Sequence, residues 1–315
     1  MSITMTNRPP KTPLDFGVKF SFAAIREQAL VYVGAFSPKV QAKGLPYAEF
    51  FGFDTEDEDE EFEDEMFGLI GDPVRWNCVS LCAAEFPHPQ MVALGEYGQV
   101  RVFGTKDDFE SRIVPEDLRF REARSIAGVA YACAVGRKVF RRDGTDQWTP
   151  IHGDMPSRPG PDVVLIFESI HGFGPDDLYA VGWHGEIWHF DGRDWHQEDS
   201  PTNRILNRVY CAPDGFVYAC GLAGTLLKGR HGQWSLIAVD AFDIDYWDLE
   251  WFGDRLWISS HSGLFTLEGD TLQPVQFDDD APSTFGHLDA RDGILWTVGS
   301  DDILQFDGHE WERIA

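Results

Sequence analysis

The side chains best suited to chemistry here are carboxylates, 53 Asp and Glu against 26 Lys and Arg. Three clusters concentrate them. The first runs from 54 to 65, where Asp54, Glu56, Asp57, Glu58, Asp59, Glu60, Glu61, Glu63, Asp64 and Glu65 surround one aromatic, Phe62. The second interleaves Asp240, Asp243 and Asp245 with Phe242, Tyr246 and Trp247, and the third is Asp278-Asp279-Asp280. Carboxylates can hold Ca²⁺, but the Asp278 run lacks the alternating spacing that aims successive side chains at one ion. His184 and His189 stand five residues apart across a turn, which assembles no zinc set. Neither metal nor cofactor is expected. There is no Gly-x-Ser-x-Gly elbow, no Gly-rich phosphate loop with Lys, and no His-Glu-x-x-His. Two carboxylates about 5–9 Å apart can cleave a glycosidic bond. A carbohydrate-active hydrolase or lyase is therefore the alternative to a binding role.

The elements that must position these groups repeat. Apolar doublets at Leu178, Val217, Leu256 and Leu295 each open a similar line of text, 39 residues apart. In the Leu178 copy, Leu178–Val181 leads to Gly182, a turn at Trp183-His184-Gly185, a second run to Phe190, the tight turn Asp191-Gly192, and Trp195. β-Branched and aromatic runs bounded by Gly and Asp-Gly predict antiparallel hairpins. One more apolar run precedes each copy, so about 40 residues carry four strands, the size of a β-propeller blade. Worn copies begin at Met91 and Tyr131, and the runs 18–24, 30–34, 47–53 and 66–70 supply another blade. The expectation is an all-β chain with one propeller of seven four-stranded blades, six being the fallback. Residues 16–315 form the ring, 1–15 an N-terminal extension, and 54–65 an acidic loop insertion. Trp148, Trp195, Trp234 and Trp311 recur at one register, which assigns them to packing between blades.

Gly174-Pro175-Asp176-Asp177-Leu178 through Trp195 resembles a bacterial β-propeller repeat of the form G-x-D-D-[LVI]-[YW]-A-V-G-x-x-G-x-I-x-H-[FW]-D-G-x-x-W. The resemblance implies fold and no particular activity. The sialidase-type Asp-box Ser/Thr is missing, and the lone Trp247-Asp248 dipeptide lies at the wrong place for a WD40 repeat.

Composition excludes several partners. The net charge is −27, and removing the ten acids of the first run still leaves −17. Phosphate binding needs Lys and Arg clusters, so direct nucleic-acid partners and anionic membrane surfaces are disfavoured. No apolar run approaches a membrane span, and the start shows no signal peptide. The five cysteines lie mostly in apolar strands and read as reduced thiols, which points to the cytoplasm. The expected function is a cytoplasmic binding module, a monomer or one-to-one heterocomplex. It would engage, and possibly neutralise, a basic protein as an immunity protein does a toxin or nuclease. An assembly scaffold or adaptor is the second alternative. In a four-stranded blade, the second-to-third-strand turns share a face with the blade connections. That places Tyr97, His184, His261 and Asp301 beside Asp240–Trp247 and Asp278–Asp280, as an acidic rim with aromatic anchors.

Overall fold

The computed structural model describes residues 12–54, 67–104, 109–114, 117–156, 164–237, 244–277 and 281–315. They form seven four-stranded antiparallel sheets, each a simple meander, the blades of a seven-bladed propeller. Blade 4 shows how the repeat folds. Phe167–Gly174 is the inner strand, followed outward by Asp177–Gly182, Ile187–Phe190 and Trp195–Glu198. The worn N-terminal text folds the same way, as Lys19–Glu27, Leu30–Phe36, Glu49–Asp54 and Phe67–Leu69.

The repeated glycine after the apolar doublet has a steric cause. A Cβ on Gly182 would meet the Ile166 carbonyl oxygen at 1.8 Å, and one on Gly221 the Ile205 oxygen at 2.0 Å. These glycines let the blade connection lie directly against the second strand.

Packing follows the register of the tryptophans. Trp195 donates to the Ile151 carbonyl at 2.8 Å, and Trp234 sits edge-on to Tyr179 of blade 4. Trp311 meets Trp257 of blade 6 at 6.0 Å between ring centroids. Each thus ties its blade to the one before. The cores likewise straddle neighbouring blades, with Tyr218, Cys220 and Leu226 joining Leu249, Leu256 and Ile258.

The ring closes without a borrowed strand, because blade 7 takes all its strands from 287–313. Phe53 packs edge-on against the fully buried Trp296 at 5.2 Å, in one core with Val31, Val33, Ile294 and Val298. Burial of each such side chain contributes roughly 1.5–3 kcal/mol. The cysteines are free thiols. Cys211 pairs in register with Val217, and Cys220 with Arg208, so these two do not face one another. Burial pushes the Cys82 thiol up to about 12, which suppresses thiolate chemistry.

Candidate functional site

Blade topology defines two faces. The connection face carries the links between blades and the turns between second and third strands. The hairpin face carries the other two turns of every blade. Hydrogen bonds knit the first together: Trp183 N to Ile166 O at 3.0 Å, Leu222 N to Ile205 O at 3.0 Å, Gly224 N to Ile244 O at 2.7 Å.

Tyr97, His184, Asp245, Trp247, His261 and Asp301 all lie on the connection face, but only some of them meet. Trp247 and His261 pack with tilted rings, centroids 4.6 Å apart, and Trp247 is 38% exposed. Asp245 accepts the Ala223 N–H at 2.8 Å, so it caps the neighbouring turn. Asp301 is ion-paired with Lys19. Tyr97 lies under the Arg119 guanidinium and accepts from it at 3.3 Å. His184 is an exposed turn residue at φ 62°, followed by Gly185, where a Cβ would meet the Thr202 oxygen at 2.1 Å. Tyr246 is not a surface residue: it is fully buried in the core shared by blades 5 and 6, edge-on to Phe265. Strand alternation turns Tyr246 inward, and an irregularity in register between Tyr246 and Asp248 releases Trp247 outward. Asp240, Phe242, Asp243, Asp278, Asp279 and Asp280 lie outside the described residues, as do Glu56, Asp57, Glu58, Asp59, Glu60, Glu61, Phe62, Glu63, Asp64 and Glu65.

Asp54, where the acidic run begins, and Phe67 beyond it belong to the other face. Asp54 pairs with Leu30 and Phe67 with Phe53, at the end where the first strand of blade 1 turns into the second. Asp54 and the connection-face acids therefore lie on opposite sides of the ring.

The similar shift in other inner strands falls between Phe20 and Phe22, Cys78 and Ser80, Phe167 and Ser169, and Leu206 and Arg208. It sets Glu168 near the channel mouth, where it binds Arg121 at 2.6 Å and the Trp183 indole N–H at 2.7 Å.

The inner strands also line a central cavity of about 230 Å³, whose individual lining residues the repeat pattern does not single out. Its polar groups come in pairs two residues apart: Glu122 and Arg124, Arg208 and Tyr210, Asp248 and Glu250, His287 and Asp289. Residues i and i+2 share a strand face, so this spacing lines the channel. Arg208 binds Glu122 and, through Nη2 at 3.2 Å, Asp248; Arg124 reaches Glu250 at 3.3 Å. Burial raises the Asp248 carboxyl, but Arg208 and His287 outweigh it and leave the group well below the usual range. Glu250 and Asp289 go the other way, lifted by burial and by neighbouring carboxylates despite Arg124. Burial, with Arg124 and Arg208 nearby, lowers His171 and keeps its imidazole neutral.

A structural need explains these pairs. Neighbouring inner strands belong to different sheets, so their facing backbone groups have no ladder partner. Channel side chains supply it. Glu122 accepts from Ile170 N at 2.8 Å, His171 Nδ1 from Cys211 N at 2.7 Å, and Asp248 from Leu288 N at 3.0 Å. Among the described residues no group of three or more His, Cys, Asp or Glu is arranged to hold a metal ion, and no helix is long and apolar enough to cross a membrane.

No family profile matches the chain. A relative from Pseudomonas aeruginosa, the immune protein Tsi7, is 40% identical over 298 residues, covering 92% of this chain and 95% of its own. Among solved structures, YCF48 bound to D1 peptide superposes with a TM-score of 0.65 at 12% identity, over 92% of this chain and 91% of that one. The WD40 β-propeller domain of Doa1 gives 0.66 at 7% identity, over 91% and 92%. Virginiamycin B lyase from Staphylococcus aureus gives 0.55 at 11%, over 75% and 83%. At such identities the structural likeness establishes the propeller and nothing about activity.

Proposed function

This chain belongs to the family of the immune protein Tsi7, and from that premise we propose that it binds a toxin and neutralises it stoichiometrically. The observation that carries this reading is the 40% identity across nearly the whole of both chains. An acidic surface suits a basic toxin, of nuclease type in the sharpest form, since enzymes that act on nucleic acid present cationic clefts. With −27 overall, electrostatic attraction raises the encounter rate and exposed aromatics anchor the complex. The protein acts without turnover, in the cytoplasm, by covering its partner. The channel carboxylates support this non-enzymatic reading, because Glu122, Asp248 and Asp289 hold backbone N–H groups of neighbouring blades.

Co-expression provides the test. If a toxin is encoded by a gene neighbouring this one, producing it in a susceptible host should arrest growth, and this chain should restore it. Arrest that persists although the protein accumulates in soluble form would refute neutralisation.

A further inference from the structure

Resting on that reading, we infer that the toxin docks on the hairpin face, against an aromatic patch formed by Phe173 and Phe216 on blades 4 and 5 and ringed by uncompensated turn carboxylates. The connection face, where sequence alone places the acidic rim, is not this surface.

The patch is continuous across two blades. Phe216 is 44% exposed and Phe173 36%. Arg230 lies between them, its guanidinium 4.1 Å from the Phe173 ring centroid and its Nη1 2.9 Å from the Gly215 carbonyl. Lys228 covers Phe216 at 4.1 Å. Aromatic rings of this exposure are the residues that anchor protein interfaces once buried. The large apolar side chains exposed on the connection face, Leu45 and Leu69 of blade 1, Val164, Leu236 and Trp247, include one aromatic, and Trp247 already packs against His261.

Charge separates the faces more sharply. Most cations of the hairpin face are engaged: Arg230 with Asp177 at 2.7 Å, Lys228 with Asp214 at 4.0 Å, Arg255 with Glu268 at 4.0 Å, Arg291 with Glu85 at 2.5 Å. Asp176, Asp254, Asp270 and Glu310 are exposed there, and their carboxylates make no ion pair among the described residues. These four carboxylates outnumber Arg26 at the end of the first strand, which makes no ion pair among the described residues, so the face projects a net negative field. On the connection face, the exposed Asp72, Asp154, Asp199 and Asp245, which make no ion pair among the described residues, are offset by exposed Lys39, Lys43, Arg75 and Arg204, which also make none. A cationic protein is steered toward the net negative field, so the hairpin face meets it first. Asp54, the first residue of the acidic run, lies on this same side.

Two triple variants of equal charge change separate the faces. Asp176→Lys/Asp254→Lys/Asp270→Lys reverses the hairpin face, and Asp72→Lys/Asp154→Lys/Asp199→Lys the connection face. Association with the neighbouring-gene toxin domain, its active site disabled by mutation, is followed by stopped flow at low salt. The hairpin variant should associate about tenfold or more slowly, the connection variant within about twofold of the parent. Phe216→Ala should speed dissociation by about tenfold or more, with thermal stability unchanged because its ring is exposed. Slowing confined to the connection variant would overturn the face assignment and leave neutralisation standing. A parent protein that does not bind this toxin domain would overturn both.

Discussion

Asp289 of the last blade accepts a hydrogen bond from the backbone N–H of Ile25 in the first, at 2.6 Å. His287 joins it, its Nε2 2.8 Å from the Ala23 carbonyl. With no shared strand, these contacts and the Phe53–Trp296 core complete the ring. Asp289→Ala should leave the Ile25 N–H buried without a partner and cost about 1–3 kcal/mol. Urea unfolding followed by fluorescence checks this; a midpoint equal to the parent's would mean that closure depends on packing alone.

The glycine at the end of the second strand gives an independent test of the fold. Gly221→Ala must push a methyl into the Ile205 carbonyl and should destabilise by at least about 1–3 kcal/mol, the usual range for overpacking. Gly68→Ala, where a Cβ meets nothing within 4 Å, should be neutral or mildly stabilising. Similar melting temperatures for the two variants would contradict the steric account.

Glu250 carries a signed dependence on pH. Burial raises its folded-state carboxyl above the ordinary 4.5, so the folded protein holds this proton more tightly than the unfolded chain. Below the ordinary range both states are protonated and the group costs nothing. As pH rises through that range the unfolded chain ionises first, and stability falls until the buried group ionises too. Glu250→Gln removes that titration while Asp289 remains in both proteins. The variant should therefore gain on the parent as pH rises, in chemical denaturation from pH 4 to 8. A constant difference would show that Glu250 is not the group responsible.

Salt should act on association far more than on dissociation. Uncompensated exposed carboxylates such as Asp254 and Asp270 act over a Debye length, about 10 Å at 0.1 M and about 3 Å at 1 M. Raising salt from about 0.02 to 0.5 M should slow association with the toxin domain about tenfold or more, and change dissociation less. An association rate indifferent to salt would rule out steering.

Much of the ring was legible because each blade repeats the same steric solution. Gly182 and Gly221 mark where a connection crosses, and Trp195, Trp234 and Trp311 mark blade contacts. Even the worn first blade kept its apolar runs at strand length. The channel was hidden for a physical reason. Glu122-x-Arg124 and Asp248-x-Glu250 alternate like any solvent-facing strand, and only ring closure turns that face inward. The signal was the recurrence of such pairs in the inner strand of successive copies. Tyr246 turns inward while its neighbour Trp247 is exposed, and the local irregularity separating them leaves no mark in composition. Strand order decides which turns share a face, which is why Asp54 and Asp245 belong to opposite sides.

Stoichiometric neutralisation is tested most directly by titrating the toxin's own activity with this protein. The account predicts a linear fall that reaches zero at one equivalent, with activity recovered when the complex is dissociated. Unchanged activity at excess protein, or lasting inactivation by a small fraction of an equivalent, would contradict it.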